Sequence, residues 1–200
     1  MGEPYGRAMT SPALLIGTAA APHAALVRAA TRVSLDTPTP CNDWDLRALL
    51  GHLLHWTPVL AAAGRGEQVA APDESVDPVT GDWADALNAA RDRLAATWAD
   101  PASWDGSVSL GGPQELPAPM IGAMVLGELV LHGWDLGRAL GIEPEWTEDV
   151  LAAALGAVEG MAEQGREMGV FAPEVAVGAD ATTLERVVAV SGRDPRWVAG

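Results

Sequence analysis

Apolar positions recur every three to four residues along most of this chain, the period of a helix packed on one side. An Ala- and Leu-rich stretch from about Pro12 to Val33 predicts a first amphipathic helix. "DTPTPCNDW", Asp36 to Trp44, interrupts the pattern; its prolines close that helix and its Asn and Asp residues offer caps. Asp45 is placed as the N-cap of a second helix, roughly Leu46 to Ala63, with Pro58 as its kink or weak end and Gly64 and Gly66 as its stop. The acidic, proline-containing stretch 67–80 predicts a solvated loop. Trp83, Leu87, Ala90, Leu94 and Trp98 then share one face of a third helix, Asp82 to Trp98. "DPASWDGSVSLGGPQELPAP" (100–119) breaks helical periodicity, and an insertion of that length in a compact domain is often functional. Its "SVSL" fits a short strand. A fourth helix is expected from about Pro119 to Leu140, ended by Gly141, and a fifth, capped by Thr147, from about Glu148 to Met168. "FAPEVAVGADAT" predicts extended chain and "TTLERVVAVSG" a short last helix. The sum is an all-α fold, a bundle of four main helices with short C-terminal additions. It is expected to form one domain over 1–200, with its core at about 10–170 and a tail at 171–200.

Composition narrows the setting. Hydrophobic content of 48% over 200 residues is enough for a real core. Apolar runs such as Met120–Leu126 fall short of the roughly 20 residues of a membrane helix, and the N-terminus lacks the pattern of a signal peptide. The net charge of −15, with all 12 bases Arg, repels phosphate backbones and argues against a nucleic-acid partner. The single cysteine, Cys41, forms no internal disulfide and fits a reducing compartment. The expectation is a cytoplasmic protein with neither membrane nor nucleic-acid partner. Eight Trp stand against one Phe and one Tyr, so Trp44, Trp56 and Trp134 are either core residues or walls of a substrate pocket.

Chemistry concentrates in "GELVLHGWDLGRALG", Gly127 to Gly141. Glu128 and His132 are spaced i, i+4, which places them about 40° apart around a helix and roughly 6 Å apart along it. Their neighbours are Leu and Val. A carboxylate in such company needs a cation, a hydrogen-bond partner or a proton. One divalent ion would meet that need, and one more His would make a three-ligand site with an open position. The alternative is that the pair simply hydrogen-bonds to each other and to indoles. An echo, "RALLGHLLHW", carries His52 and His55 at i, i+3, and spacing alone does not choose between them. Asp135 returns to nearly the same face as Glu128, two turns on, and is a residue able to orient a ligand. Asp135 and Arg138, at i, i+3, could equally pair with one another. Cys41 is either a nucleophile or a small buried hydrophobe, and His23 is expected to be a surface or packing residue rather than a ligand.

Together "TPCNDWDLRALLGHL", "GELVLHGWDLGRALG" and the tail "FAPEVAVGADATTLERVVAVSGRDPRW" resemble the mycothiol-dependent maleylpyruvate isomerase N-terminal domain family, a group of DinB-like metal-binding proteins. The resemblance runs from about residue 10 to 197. It implies a DinB/YfiT-like four-helix bundle. It also implies a metal held by His52, Glu128 and His132, with zinc the expected ion and nickel compatible, and His55 moved to the pocket wall or to orienting a ligand beside Asp135. Asn42 and Asp43 stand where the family commonly has Pro-Gly. A short tail is expected in place of the separate C-terminal domain of the isomerase itself. The function implied is that of a thiol-dependent transferase or isomerase. A low-molecular-weight thiol such as mycothiol would be activated as thiolate and an electrophilic small molecule would be the substrate. The alternative is a non-catalytic metal- or small-ligand-binding bundle with a vestigial site. A homodimer is one assembly compatible with the apolar helix faces.

Overall fold

The computed structural model describes residues 11–41 and 44–199, so the expectation about Asn42 and Asp43 lies outside the described residues. Among the described residues seven α-helices dominate: α1 (Pro12–Ala20), α2 (His23–Ala30), α3 (Leu46–Gly64), α4 (Trp83–Trp98), α5 (Ala118–Leu140), α6 (Glu148–Glu167) and α7 (Thr183–Val190). The fold is all-α and DinB-like. α1 and α2 together, α3, α4 and α5 occupy the four positions of a bundle; α6 packs on α5, and α7 packs on α6.

The expected first helix is two. Pro22 has no N–H to give the carbonyl of Thr18, and the chain turns there before α2 begins. By length and mean hydropathy (1.3), Pro12–Ala30 qualifies as a membrane span, contrary to the expectation from apolar runs. The break makes it two short helices instead, and Ile16, Ala19, Leu26 and Val27 of their inner faces are buried in the core. α3 starts as expected, Asp45 accepting from the Ala48 N–H at 2.8 Å. It runs through Pro58, which lies on an exposed face where water can take the freed Leu54 carbonyl. Thr147 occupies the N-cap of α6, but its side chain makes no capping bond; Glu148 and Asp149 supply negative charge to that first turn instead. α5 stops at Gly141, whose left-handed backbone (φ 65°) suits glycine.

The 100–119 insertion folds into a 3₁₀ turn, Pro101–Trp104, and a two-stranded antiparallel hairpin, β1 (Ser107–Ser109) with β2 (Glu115–Pro117), with Val108 opposite Leu116. The core has two buried clusters. One joins α1, α4, α5 and α6 around Ile16, Trp98, Val125 and Val158. The other joins α2, α3 and α5 around Leu26, Leu49, Leu50 and Leu136. Indoles packed in or against the core are anchored by their N–H groups: the buried Trp98 donates to the Leu60 carbonyl at 2.9 Å and the half-buried Trp146 to that of Ala19 at 3.0 Å.

Candidate metal centre

α3 and α5 lie side by side and bring His52 together with Glu128, 76 residues on, and with His132 one turn further along α5. Glu128 is the hub. Its Oε2 is 3.3 Å from His52 Nε2 and 3.2 Å from His132 Nε2. The three donor atoms lie within 4.8 Å of one another. Two imidazole nitrogens and one carboxylate oxygen form the donor set that suits zinc with a position left over. The rings also pack as a group: Trp44 lies 5.0 Å from the His52 ring, tilted against it, and 6.3 Å from that of His132, stacked on it, centroid to centroid.

Electrostatics bind these groups to each other. Burial alone would push the Glu128 carboxyl upward; the His132 charge and hydrogen bonds from both imidazoles outweigh it and hold it well below the usual carboxylate range. Burial likewise disfavours a charged His132, but the Glu128 carboxylate and the Asp135 hydrogen bond prevail and raise it to about 9. His132 Nδ1 donates to Asp135 Oδ2 at 2.9 Å, which leaves Nε2 turned toward Glu128.

Asp135 is completely buried, and its expected partner Arg138 does not pair with it. Arg138 reaches the carbonyl of Trp197 and the carboxylate of Glu143 instead. The partner of Asp135 is Arg193, from the chain after α7, whose Nε and Nη2 donate to Oδ1 and Oδ2 at 2.8 and 2.9 Å. Burial opposes ionisation of Asp135, and the Arg193 charge and the His132 hydrogen bond outweigh it, keeping the carboxyl below its ordinary value. Arg193 also reaches Ser191 Oγ at 3.0 Å and Cys41 Sγ at 3.3 Å. Burial pushes the Cys41 thiol up to about 12, despite Arg193 beside it. Cys41 therefore behaves as the packed, inert cysteine rather than a nucleophile. Cys41, His132 and Asp135 also cluster at ligand distance, but with Asp135 committed to Arg193 and the thiol protonated, this set is poorly suited to an ion.

His55 joins neither cluster. It lines an open cleft of about 490 Å³ between α3 and the 74–78 segment, a wall it shares with Trp44, Arg47 and His52. The acidic stretch expected to be merely solvated therefore forms a wall of the approach. Arg47 pairs with Asp77 at 2.8 Å, and the Trp56 indole donates to Glu74 at 2.6 Å. The 100–119 insertion, expected to be functional from its length, contributes no residue to this cleft. Trp134 is a core residue beneath the Arg138 guanidinium, 5.7 Å away. His23 is buried, its Nε2 donating to the Leu129 carbonyl at 2.7 Å; it packs rather than joining the cluster, as expected. Arg193 was missed from the sequence. It is one of the two arginines in "SGRDPRW", with no local spacing to tie it to α5.

The family described as Mycothiol maleylpyruvate isomerase N-terminal domain matches residues 16–137, more than half of the chain. The chain belongs to this family. The matched span holds His52, Glu128, His132 and Asp135 but ends before Arg193. Among solved structures, the chain is similar to one described as the crystal structure of the mycothiol-dependent maleylpyruvate isomerase, with a TM-score of 0.60 and 16% identity. At that identity the likeness speaks for the fold. It covers 94% of this chain and 91% of that one, which is at odds with the expectation that a whole separate domain is missing relative to it. No curated protein matches the chain.

Proposed function

We propose that this member of the mycothiol maleylpyruvate isomerase N-terminal domain family is a metal- and thiol-dependent transferase or isomerase acting on a small electrophile. The observation that carries this reading is the convergence of His52, Glu128 and His132 beside an open cleft that His52 also lines. These three side chains would hold the ion, zinc by the chemistry of the donor set, with nickel compatible. The ion would supply the positive charge that turns a low-molecular-weight thiol into a thiolate at neutral pH. Glu128 lowers the net charge of the centre. Asp135 holds the proton of His132 on Nδ1, and so keeps Nε2 directed at the other two donors. Trp44 packs against both imidazole rings. The cleft, about 490 Å³, is of the size that admits a small molecule. A thiol brought from solution also fits a chain whose own cysteine is held protonated. The family points to mycothiol or a close analogue, and the cytoplasm is the setting this implies.

Elemental analysis by inductively coupled plasma mass spectrometry tests the centre. Near-stoichiometric zinc or nickel is expected in the wild type and its loss in His132→Ala. A wild type that stays metal-free after incubation with either ion would sink the reading. With metal established, thiol consumption is measured against a panel of electrophiles, and Glu128→Gln is expected to abolish it.

A further inference from the structure

The 100–119 insertion lines no part of the cleft, yet it touches the segment that does. Its root is firm. The Trp104 indole donates to the Trp98 carbonyl at 2.8 Å, meets the Trp98 ring edge-on at 5.7 Å, and fills the space over Gly122 of α5. Val108 is buried in the core, and Ser109 Oγ donates to the Gly112 carbonyl at 2.7 Å, which closes the hairpin tip. Gly111 stands at that tip with a φ of 91°, where a side chain is strained. It lies directly on the backbone of Ala70 and Ala71: a Cβ there would collide with the Ala71 nitrogen and stand 2.7 Å from the Ala71 Cα. Residues 68–72 make no backbone hydrogen bond among the described residues, so packing locates this stretch. Further on the chain is pinned again: Pro78 lies over Gly51 of α3, and Val79 is buried. Between the two pins runs a strap, 72–77, and it carries Glu74, the exposed Val76 and Asp77 into the wall of the cleft. Its turn is local, Asp73 accepting from the Ser75 N–H and hydroxyl at 3.1 and 2.6 Å. α3 holds it from below by the Trp56 indole on Glu74 and by Arg47 on Asp77.

We propose that the insertion is a buttress for the cleft wall, with Gly111 as its positioning residue. Gly111 sets how far the strap stands from α3, and so the width of the approach to His52. The placement of the strap is independent of the proposed function; its effect on entry to the centre rests on that reading. Backbone packed on backbone leaves no rotamer to relieve a clash, so a methyl group at Gly111 has to separate the hairpin tip from Ala70 and Ala71. The hairpin is rooted in the core by Trp104 and Val108, so the strap gives way. An exposed ion pair such as Arg47–Asp77 contributes too little to keep the strap in place alone. An insertion can thus act on a cleft that it does not line.

The Trp56 indole N–H reports on the strap, because Glu74 is its acceptor. Its nuclear magnetic resonance signal is assigned from Trp56→Phe, and Glu74→Ala supplies the position it takes with the bond absent. In Gly111→Ala the signal is expected to move most of the way to that position. Gly106→Ala is the control for strain: Gly106 has a φ of 73° in the same insertion and nothing near its absent Cβ. It is expected to leave Trp56 at the wild-type position. On zinc-loaded protein, a chromophoric chelator is expected to strip the ion several-fold faster from Gly111→Ala, at unchanged zinc content. In the wild type, a nuclear Overhauser contact between the Gly111 α-protons and the Ala71 amide proton reads the buttress directly, whether or not the variant folds. The proposal is overturned if that contact is absent, if Trp56 does not move in folded Gly111→Ala, or if Gly106→Ala moves it equally. A displaced Trp56 with zinc stripped at the wild-type rate overturns the part that concerns the approach. In protein that takes up no zinc, the Trp56 and Overhauser signals still decide where the strap is held, and it is the reading of the centre that fails.

Discussion

Asp135 decides how His132 presents itself, and so is the residue whose replacement says most. In Asp135→Asn the side-chain oxygen can still accept from His132 Nδ1, but the negative charge facing Arg193 is gone. Metal affinity is expected to fall about 10–100-fold, the usual effect of disturbing a group that orients a ligand, measured by competition with a chromophoric chelator. Unchanged affinity would mean that Asp135 serves packing alone. Cys41 gives the opposite kind of prediction. With its thiol at about 12, roughly one molecule in ten thousand is thiolate at pH 8. A thiol-specific disulfide reagent should leave the native protein unlabelled at that pH and label it once unfolded. Rapid native labelling would return Cys41 to the list of nucleophiles. At this scale the sequence was partly legible. Glu128 and His132 announce themselves by sharing a helix face among leucines. His52 and His55 are equal by spacing, and only the resemblance separated them. Arg193 lies 58 residues from Asp135, and no local period connects them.

Helix boundaries followed where a side chain forces the backbone, and slipped where tertiary packing decides. Asp45 and Gly141 mark ends because one supplies an acceptor and the other a left-handed turn. Pro22 and Pro58 look alike in sequence, yet one breaks a helix and the other does not. Pro58 sits deep in a long helix held on both sides by its buried face, while Pro22 falls between two short segments with separate contacts. α5, which carries Glu128, His132 and Asp135, is also the most crowded element. A Cβ at Gly133 would come within 2.8 Å of the Trp146 ring and 3.0 Å of His23 Nε2. Gly133→Ala is therefore expected to destabilise by about 1–3 kcal/mol through overpacking, overriding the roughly 1 kcal/mol that Ala gains over Gly in a helix interior. Gly156 in α6 is exposed, with nothing near its absent Cβ. Gly156→Ala should show that gain alone, up to about 1 kcal/mol. Chemical denaturation of the two variants compares them, and a stabilising Gly133→Ala would mean that α5 has room the structure does not give it.

Across the whole molecule the centre depends on a segment that the helical pattern marks as a mere addition. α7 packs on α6, and the chain after it returns to α5, where Arg193 neutralises Asp135 and Arg138 binds the carbonyls of Pro195 and Trp197. The Asp135–Arg193 pair is almost sealed from solvent, with 0% and 7% side-chain exposure. Breaking one side of such a pair leaves an uncompensated buried charge, at a cost of about 3–5 kcal/mol. Deleting residues 193–200 should therefore destabilise by at least that amount, about 10 °C in midpoint for a chain of this length. The surviving protein should bind metal more weakly as well, because the carboxylate that orients His132 loses its own anchor. Deleting only 198–200 should do neither, since the anchoring groups remain. Arg193→Met isolates the charge. Combining it with Asp135→Asn should recover much of the lost stability, because no buried charge is then left unpaired, while metal affinity stays low. Thermal unfolding and chelator competition on these four proteins separate the two effects. If the 193–200 deletion folds and binds metal as the wild type does, Arg193 is a bystander, and the orientation of His132 must come from α5 alone.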